Sequence, residues 1–281
     1  MRYSVLKLAG FSLPSLVFAG SCFSASQHEL NVGAQKEQIC SATTVRYVGK
    51  FLKIDALKIS SRSDQASEES IVSAAACKAT PQNAQIVLAA IAYDLGKENT
   101  KALIVALIDK SQGRVISSYR GEIDEDAAMR VTSGSLWIDT APYDLAPGVR
   151  AVGLDVTSGY IANCGDGGTG ATRMLFVREG GKLRPVLEGL TMSYWTFIQQ
   201  ARSRCVNSDD APETSIIENT DLSIAVDDTS TNGYRDLIVT AVSSRDDGKK
   251  IGGAPFRYRL HYDGRNYSIK KMIDYFYKWR P

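Results

Sequence analysis

The chain has 281 residues, with 33 Lys and Arg, 31 Asp and Glu and two His. The first 25 positions hold two basic residues and no acid, so the remainder carries 33 − 2 = 31 basic against 31 acidic residues and has a formal charge of zero. This balance, without a long run of like charge, excludes the basic stripe expected of a nucleic-acid-binding protein.

The N-terminus has the pattern of a cleavable export signal. Arg2 and Lys7 precede the uncharged apolar run 8–20, and mostly small residues follow it. These are the three regions of a secretory signal peptide. The apolar run is shorter than the roughly 20 residues of a transmembrane helix, and Pro14 interrupts it. We therefore predict a signal peptide at residues 1–25 and a periplasmic or secreted mature protein without a transmembrane segment.

A second fate for the N-terminus follows from the sequence Ala-Gly-Ser-Cys at residues 19–22. It resembles a bacterial lipobox, in which the cysteine is lipidated, although Ala19 stands where that motif usually has Leu or Val. Lipidation of Cys22 would leave the exported protein anchored to a membrane surface. Whether the signal is cleaved or Cys22 is lipidated, the protein would be exported and its folded domain would be the same.

The remaining cysteines, Cys40, Cys77, Cys164 and Cys205, are even in number. In an oxidising compartment this parity predicts two disulfides. Of the three possible pairings we favour Cys40–Cys77 and Cys164–Cys205, because each closes a loop of moderate length. Each bond would stabilise the fold by roughly 3–4 kcal/mol. With no Cys-x-x-Cys and only two histidines, a zinc site is disfavoured.

In chain order, residues 45–54 are interpreted as a strand and residues 67–77 as the clearest helix. Ser67 is placed to cap that helix, and Glu68 and Glu69 lie in its first turn. After Pro81 the pattern changes to short apolar runs separated by turns. Strands are predicted at 85–93, 101–108, 114–119, 135–139, 149–156, 172–178, 183–187, 192–198, 222–226, 236–242, 256–262 and 265–269.

Three of the turns are typical of hairpins, at residues 109–113, 179–182 and 263–264. The fold class is therefore predicted as mostly β, with antiparallel hairpins forming a sandwich or a short propeller-like fold and one short N-terminal helix. We place a main β-rich domain at 26–210. The C-terminal hairpins at 211–281 can belong to the same domain. The aromatic end, 270–280, is expected to pack on the body as a short strand or helix.

The segment 228–239 is the most informative local motif. Oxygen-bearing side chains occupy loop positions 1, 3, 5 and 9, and Gly233 takes position 6. This alternation lets a tight loop direct several oxygens at one hard cation. The segment resembles the calcium loops of FG-GAP/VCBS-type β repeats. That resemblance implies the ligands Asp228, Ser230, Asn232 and Asp236, through their side chains, and Tyr234, through its carbonyl.

The motif departs from the family pattern at two positions. Ser230 and Asn232 are neutral, so two carboxylates remain, and fewer charges mean weaker calcium binding. The alternative is an ion-free β-turn in which Asp228 and Asn232 bond the loop backbone. Both alternatives predict a hairpin at this segment.

Signals for catalysis are sparse. Scattered carboxylates could form a glycosidase pair if the fold brings two of them within about 5–10 Å. The candidates are Asp139, Asp144, Asp155 and Asp166. His261 alternates with apolar neighbours and is interpreted as structural. The glycine-rich segment 164–170 lacks the ending of a phosphate-binding loop and is interpreted as a flexible loop tethered by Cys164, with a contact role as the alternative.

These observations predict an exported, non-catalytic binding protein that recognises a macromolecular partner through loops on a β scaffold. The partner would be another protein or an envelope component, and one version is an inhibitor or immunity-type protein. The alternatives are a carboxylate-based hydrolase acting on cell-envelope polymers and a calcium-stabilised surface module. No catalytic residue and no cofactor other than calcium is assigned.

Overall fold

The computed structural model describes residues 38–55, 57, 71–126, 129–157, 159–160, 166–201, 212–249, 251 and 253–280. Among these residues lie two helices and fifteen strands. In chain order they are α1 (Ala42–Leu52), β1 (Val72–Thr80), β2 (Asn83–Tyr93), β3 (Thr100–Asp109), β4 (Arg114–Asp124), β5 (Met129–Arg130), β6 (Leu136–Ala146), β7 (Val149–Val156), β8 (Gly159–Tyr160), β9 (Gly167–Thr169), β10 (Thr172–Glu179), β11 (Lys182–Thr191), β12 (Ser193–Gln199), β13 (Ile216–Thr231), β14 (Tyr234–Arg245), β15 (Phe256–Leu260) and α2 (Lys270–Trp279).

The strands form two large sheets and one small pair. The larger sheet has the order β1-β2-β3-β4-β11-β10-β7-β6, and its neighbours are antiparallel except for β4 and β11. The second sheet has the order β15-β14-β13-β12-β9, and β5 pairs with β8. The eight-stranded sheet is nearly closed into a barrel, and the five-stranded sheet packs on its outer face. This arrangement confirms the predicted fold class.

A single residue, Gln38, bridges the two edges of the eight-stranded sheet. Its backbone carbonyl accepts a hydrogen bond from the Cys77 N–H of β1 at 2.9 Å. Its side-chain amide donates to the Ile138 carbonyl of β6 at 2.8 Å and accepts from the Ile138 N–H at 2.7 Å. The side chain thus makes the paired bonds that a neighbouring strand would make. We call these three hydrogen bonds the Gln38 seam.

The disulfide Cys40–Cys77 lies beside this seam. It joins the segment before α1 to β1 and confirms the first predicted pairing. Ser41 caps α1, because its Oγ accepts a hydrogen bond from the Thr44 N–H at 3.1 Å. The second predicted pairing, Cys164–Cys205, lies outside the described residues, as does the predicted signal peptide at 1–25.

Strand alternation builds the core of the barrel. On β3, Leu103, Val105 and Leu107 face the interior, where they pack with residues of the other barrel strands. The intervening Ile104 and Ile108 face outward into a second cluster. That cluster is covered by α1 and includes its buried face. The interior is filled by side chains, which makes it a packed core rather than a channel.

A third cluster lies between the barrel and the five-stranded sheet. It combines Leu175 and Val177 of β10 with Leu237 and Val239 of β14, so it draws on both of the predicted ranges 26–210 and 211–281. Residues Gln38–Pro281 form one structural unit. Within the described ranges, neither helix has the length and apolar sequence that crossing a bilayer would require.

The predicted helix and the first predicted strand were both wrong. Residues 45–54, predicted as a strand, lie mostly in α1, where Val45 and Val48 are buried. Their spacing is helical, and the β-branched residues that suggested a strand pack on the barrel instead. Residues 72–77 of the predicted helix lie in β1. There, Ala74 and Ala76 face the crowded barrel interior, so packing overrides their helical propensity.

The other predicted strands fall within or overlap the observed ones, with one exception. The hairpins β3–β4 and β10–β11 are confirmed. The expected strand 265–269 is reduced to a single bridge between Tyr262 and Tyr267. The aromatic C-terminus is the helix α2, which buries Met272 and Phe276 against the third cluster.

Replacing Gln38 with Ala should lower the free energy of unfolding by about 2 kcal/mol, because the Ile138 N–H and carbonyl lose their partners. Chemical denaturation of the mature protein measures this change. Gln38→Glu should also destabilise, since it keeps the acceptor but faces the Ile138 carbonyl with a carboxylate. The exposed Gln85→Ala is the control and should change stability by less than about 0.5 kcal/mol. Equal stability of all variants would show that the seam contributes nothing.

Candidate functional site

A cavity of about 800 Å³ opens at one end of the barrel. The β1–β2 turn contributes Thr80 and Gln82, and the β6–β7 hairpin contributes residues 144–150. The β13–β14 hairpin of the other sheet closes one side with Ser230 and Gly233. The cavity has the size of a ligand-binding site and is bordered by hairpins on a rigid scaffold. We call it the arginine groove, because Arg150, Arg178 and Arg235 line it.

The three arginines are placed by three different strands, β7, β10 and β14. Arg235 lies 3.0 Å from Asp228, whose side chain is fully exposed. Arg178 is exposed and donates to the Gly180 carbonyl at 3.2 Å. Arg150 lies 3.9 Å from Asp144, the one acidic residue of the lining. The guanidinium groups are therefore held by weak, solvent-exposed partners.

Arg150 is also held by uncharged groups. Its Nη2 donates to the Thr140 carbonyl at 3.3 Å. With its oxygen turned toward the guanidinium, the Gln82 carboxamide accepts from Nε and Nη1 at 3.1 and 2.9 Å. These bonds orient the charge without neutralising it, and they tie the β1–β2 turn to β7. Arg150 is thus presented to the groove by neighbours from both edges of the barrel.

The floor of the groove is apolar. Ile86, Leu107 and Val152 belong to the barrel interior and form its last layer at this end. Pro147 of the β6–β7 hairpin, which is exposed, extends the apolar surface toward the rim. The groove therefore combines a small apolar base with a rim of positive charge.

A fourth arginine, Arg173, is bonded in the opposite way. Its Nε and Nη2 donate to the two oxygens of Asp155 at 2.6 and 2.7 Å. Its Nη1 donates to the Tyr143 hydroxyl and lies 2.8 Å from Asp139. The Arg173 and Asp155 side chains are only 13% and 12% exposed. This bidentate, largely buried arrangement is a strong interaction, and together with the Tyr143 contact it occupies all three nitrogens of the guanidinium.

Tyr143 and Gly153 complete this network. The Tyr143 hydroxyl donates to Asp139 at 2.7 Å. Burial raises the pKa of Tyr143 well above its usual value, and the Arg173 charge opposes this only in part, so the hydroxyl stays a donor. Gly153 pairs with Asp139 across the β6–β7 ladder, and a Cβ there would lie 2.9 Å from the Asp139 Cβ. Only glycine leaves room for the carboxylate at this position.

The four candidate carboxylates thus have different surroundings. Asp139 and Asp155 are brought together, but through Arg173, which binds both of them. Asp144 lines the arginine groove, and Asp166 precedes β9 at the edge of the five-stranded sheet. In a glycosidase the two carboxyl groups face each other across the scissile bond, whereas here the Arg173 guanidinium lies between them. The Asp139–Asp155 pair therefore fits a structural role better than an acid–base role.

The residues of the calcium motif form the turn of the β13–β14 hairpin. Asn232 and Gly233 have positive φ angles of 50° and 90°, as a two-residue hairpin turn requires. Asn232 donates its amide to the Tyr262 carbonyl at 2.9 Å, and the Tyr234 ring stacks on Tyr262 at 4.4 Å. Ser230 lines the arginine groove. The hairpin itself is confirmed.

Asp236, the last residue of the motif, is buried beside His261. Its Oδ2 accepts from the Thr229 hydroxyl and lies 2.9 Å from His261 Nδ1. Its Oδ1 is buried and, among the described residues, has no hydrogen-bond partner. Asp236 and Asp228 thus have separate protein partners. Within the described ranges, no three or more His, Cys, Asp and Glu side chains are placed to hold a metal ion.

Sequence reasoning missed the three groove arginines. They are separated by 28 and 57 positions along the chain, so no local pattern joins them. The single available signal was that Arg235 lies two residues after the Asn232–Gly233 turn. Comparisons of the chain with protein-family models, with curated proteins and with solved structures found no match. The site is therefore interpreted from its own geometry.

Replacing Arg173 with Met should lower the free energy of unfolding by about 3 kcal/mol, because Asp155 and Asp139 would lose their common cation. Denaturant unfolding of both proteins measures the loss. Lys97→Met is the matched control, since the Lys97–Glu122 pair is exposed and is expected to contribute at most about 1 kcal/mol. A loss in Arg173→Met that is no larger than that in Lys97→Met would contradict the network.

The calcium motif stays a prediction, and thermal unfolding tests it. A filled site requires excess calcium to raise the melting temperature and a chelator to reverse the rise, because an ion bound only by the native state stabilises it. Asp236→Asn should abolish the rise in melting temperature with calcium, whereas Asp221→Asn, at an exposed position, should preserve it. Melting temperatures that respond to neither calcium nor chelator would remove the calcium-stabilised module as a function.

Proposed function

We propose that this chain is an exported, non-catalytic binding protein and that the arginine groove recognises a macromolecular partner. The observation that carries the proposal is the groove itself, with three guanidinium groups above an apolar floor; those of Arg178 and Arg235 each make one hydrogen bond to the described residues. Arginine beside apolar surface is the composition enriched where proteins bind one another. The groove belongs to hairpins whose positions are fixed by the barrel, which limits the entropy lost on binding.

The contrast with Arg173 supports binding over hydrolysis. The two carboxylates that the fold brings together are both bonded to one guanidinium, so they support the barrel wall. Hydrolysis of a glycosidic bond would require one of them to donate a proton. The arginine groove contains one carboxylate, Asp144, which faces Arg150. The hydrolase alternative therefore has less support from the described residues.

The disulfide Cys40–Cys77 supports the proposed compartment. Disulfides persist in oxidising compartments such as the periplasm and the cell exterior. Together with the signal-like residues 1–25, it supports a periplasmic or secreted protein, free or anchored through Cys22. The partner would then be a protein or component of the same compartment, and an inhibitor or immunity-type role is one version of this function.

Site-specific cross-linking tests the groove as the recognition surface. A photoreactive residue at Pro147, on the rim, should join the mature protein to one partner in the envelope fraction of producing cells. The same residue at Gln112, in the β3–β4 turn outside the groove, should not. Mass spectrometry of the cross-linked band identifies the partner and its contacting segment.

Charge reversal should abolish the adduct. Arg178→Glu combined with Arg235→Glu should remove the Pro147 cross-link, whereas Arg114→Glu combined with Arg257→Glu, at exposed positions outside the groove, should leave it unchanged. Circular dichroism confirms that both double variants are folded. An adduct that forms equally at Gln112, or that survives reversal of the groove arginines, would contradict the proposal.

A further inference from the structure

We infer that the occupant of the arginine groove is an acidic protein segment in which carboxylate side chains flank one medium-sized apolar side chain. This inference rests on the proposed function and adds the chemistry of the partner. The carboxylates would bond the rim guanidinium groups, and the apolar side chain would cover the floor.

Charge complementarity gives the sign of the ligand. The lining holds three arginines and one aspartate. Arg178 has a carbonyl partner, and among the described residues no carboxylate lies within ion-pair distance of it. The Asp228 and Asp144 partners are monodentate or long and solvent-exposed, so an incoming carboxylate can replace them. Guanidinium groups bind carboxylates bidentately, as Arg173 does with Asp155 in this protein.

The depth of the groove selects against a long acyl chain. Beyond Ile86, Leu107 and Val152 the barrel interior is occupied by Leu88 and Phe176, which are 0% and 1% exposed. No acyl chain can enter without displacing this core, whose packing is costly to disturb. The apolar floor therefore suits a single side chain such as Leu or Val, which fits a peptide better than a lipid.

The distribution of the arginines favours an extended segment over a compact anion. They come from β7, β10 and β14 and lie around an opening of about 800 Å³, which exceeds the needs of one phosphate or carboxylate group. A peptide that crosses the opening can reach guanidinium groups on both sheets at once. Beyond residue 25 the chain has a formal charge of zero, whereas nucleic-acid-binding proteins usually carry an excess of basic residues.

Fluorescence anisotropy with the mature protein tests the inference. The probe is a labelled, end-blocked pentapeptide in which two glutamates flank a leucine, and the matched peptide has two glutamines instead. The glutamate peptide should bind at least about tenfold more tightly, since one charge-assisted bond contributes about 1.4 kcal/mol or more. Replacing its leucine with serine should also weaken binding. Added salt should weaken the glutamate peptide alone.

Variants locate the binding. Arg178→Gln should weaken the glutamate peptide about tenfold, Arg178→Lys should weaken it less, and Arg257→Gln should leave it unchanged. Equal affinity for the two peptides, or no binding of the glutamate peptide, would overturn the inference. Displacement of the peptide by fatty acids with increasing strength at greater chain length would overturn it in favour of a lipid.

The two proposals can fail separately. If the Pro147 cross-link forms and depends on the groove arginines, but the two peptides bind equally, groove recognition stands and the acidic segment is wrong. If the glutamate peptide binds in an Arg178-dependent manner but no partner is cross-linked, the ligand chemistry stands and the proposed cellular function fails.

Discussion

The structure depends on how the two edges of the eight-stranded sheet are joined. Edge strands expose unpaired backbone groups, and Gln38 satisfies those of Cys77 and Ile138 without a ninth strand. The disulfide Cys40–Cys77 holds this segment in place and closes a loop with a sequence separation of 37 residues, which is worth about 4 kcal/mol in the chain-entropy view. A short segment before α1 therefore joins the two edges of the barrel.

The arginine groove is a consequence of this closure. Its lining comes from the turn that follows β1 and the hairpin that follows β6, which are the two strands that Gln38 connects. The same barrel uses arginine in two ways. Arg173 is bonded by two largely buried carboxylates and stabilises the wall, whereas Arg178 and Arg235 of the groove each have one weak or uncharged partner and are proposed to bind a ligand. Since the residue type is the same, the difference between the two roles comes from burial and from the geometry of the bonded partners.

The fold was more predictable from sequence than the site. Apolar runs of strand length and turn residues at their ends located most strands, and cysteine parity together with loop length predicted the Cys40–Cys77 bond. The errors at α1 and β1 share a cause, because tertiary packing determines the secondary structure of both segments. Val45 and Val48 pack on the outside of the barrel, and Ala74 and Ala76 fit its narrow interior. The groove could not be predicted, because it assembles side chains from distant strands and two sheets.

Amide hydrogen exchange at the seam tests the closure of the barrel most directly. If Gln38 joins the edges, the amides of Cys77 and Ile138 are bonded on both sides of the gap and should exchange as slowly as amides of the central strands β3 and β10. If the sheet were open at this point, both amides would face solvent and exchange at the rates of unpaired edge-strand amides. That result would contradict the closed barrel and the groove that depends on it.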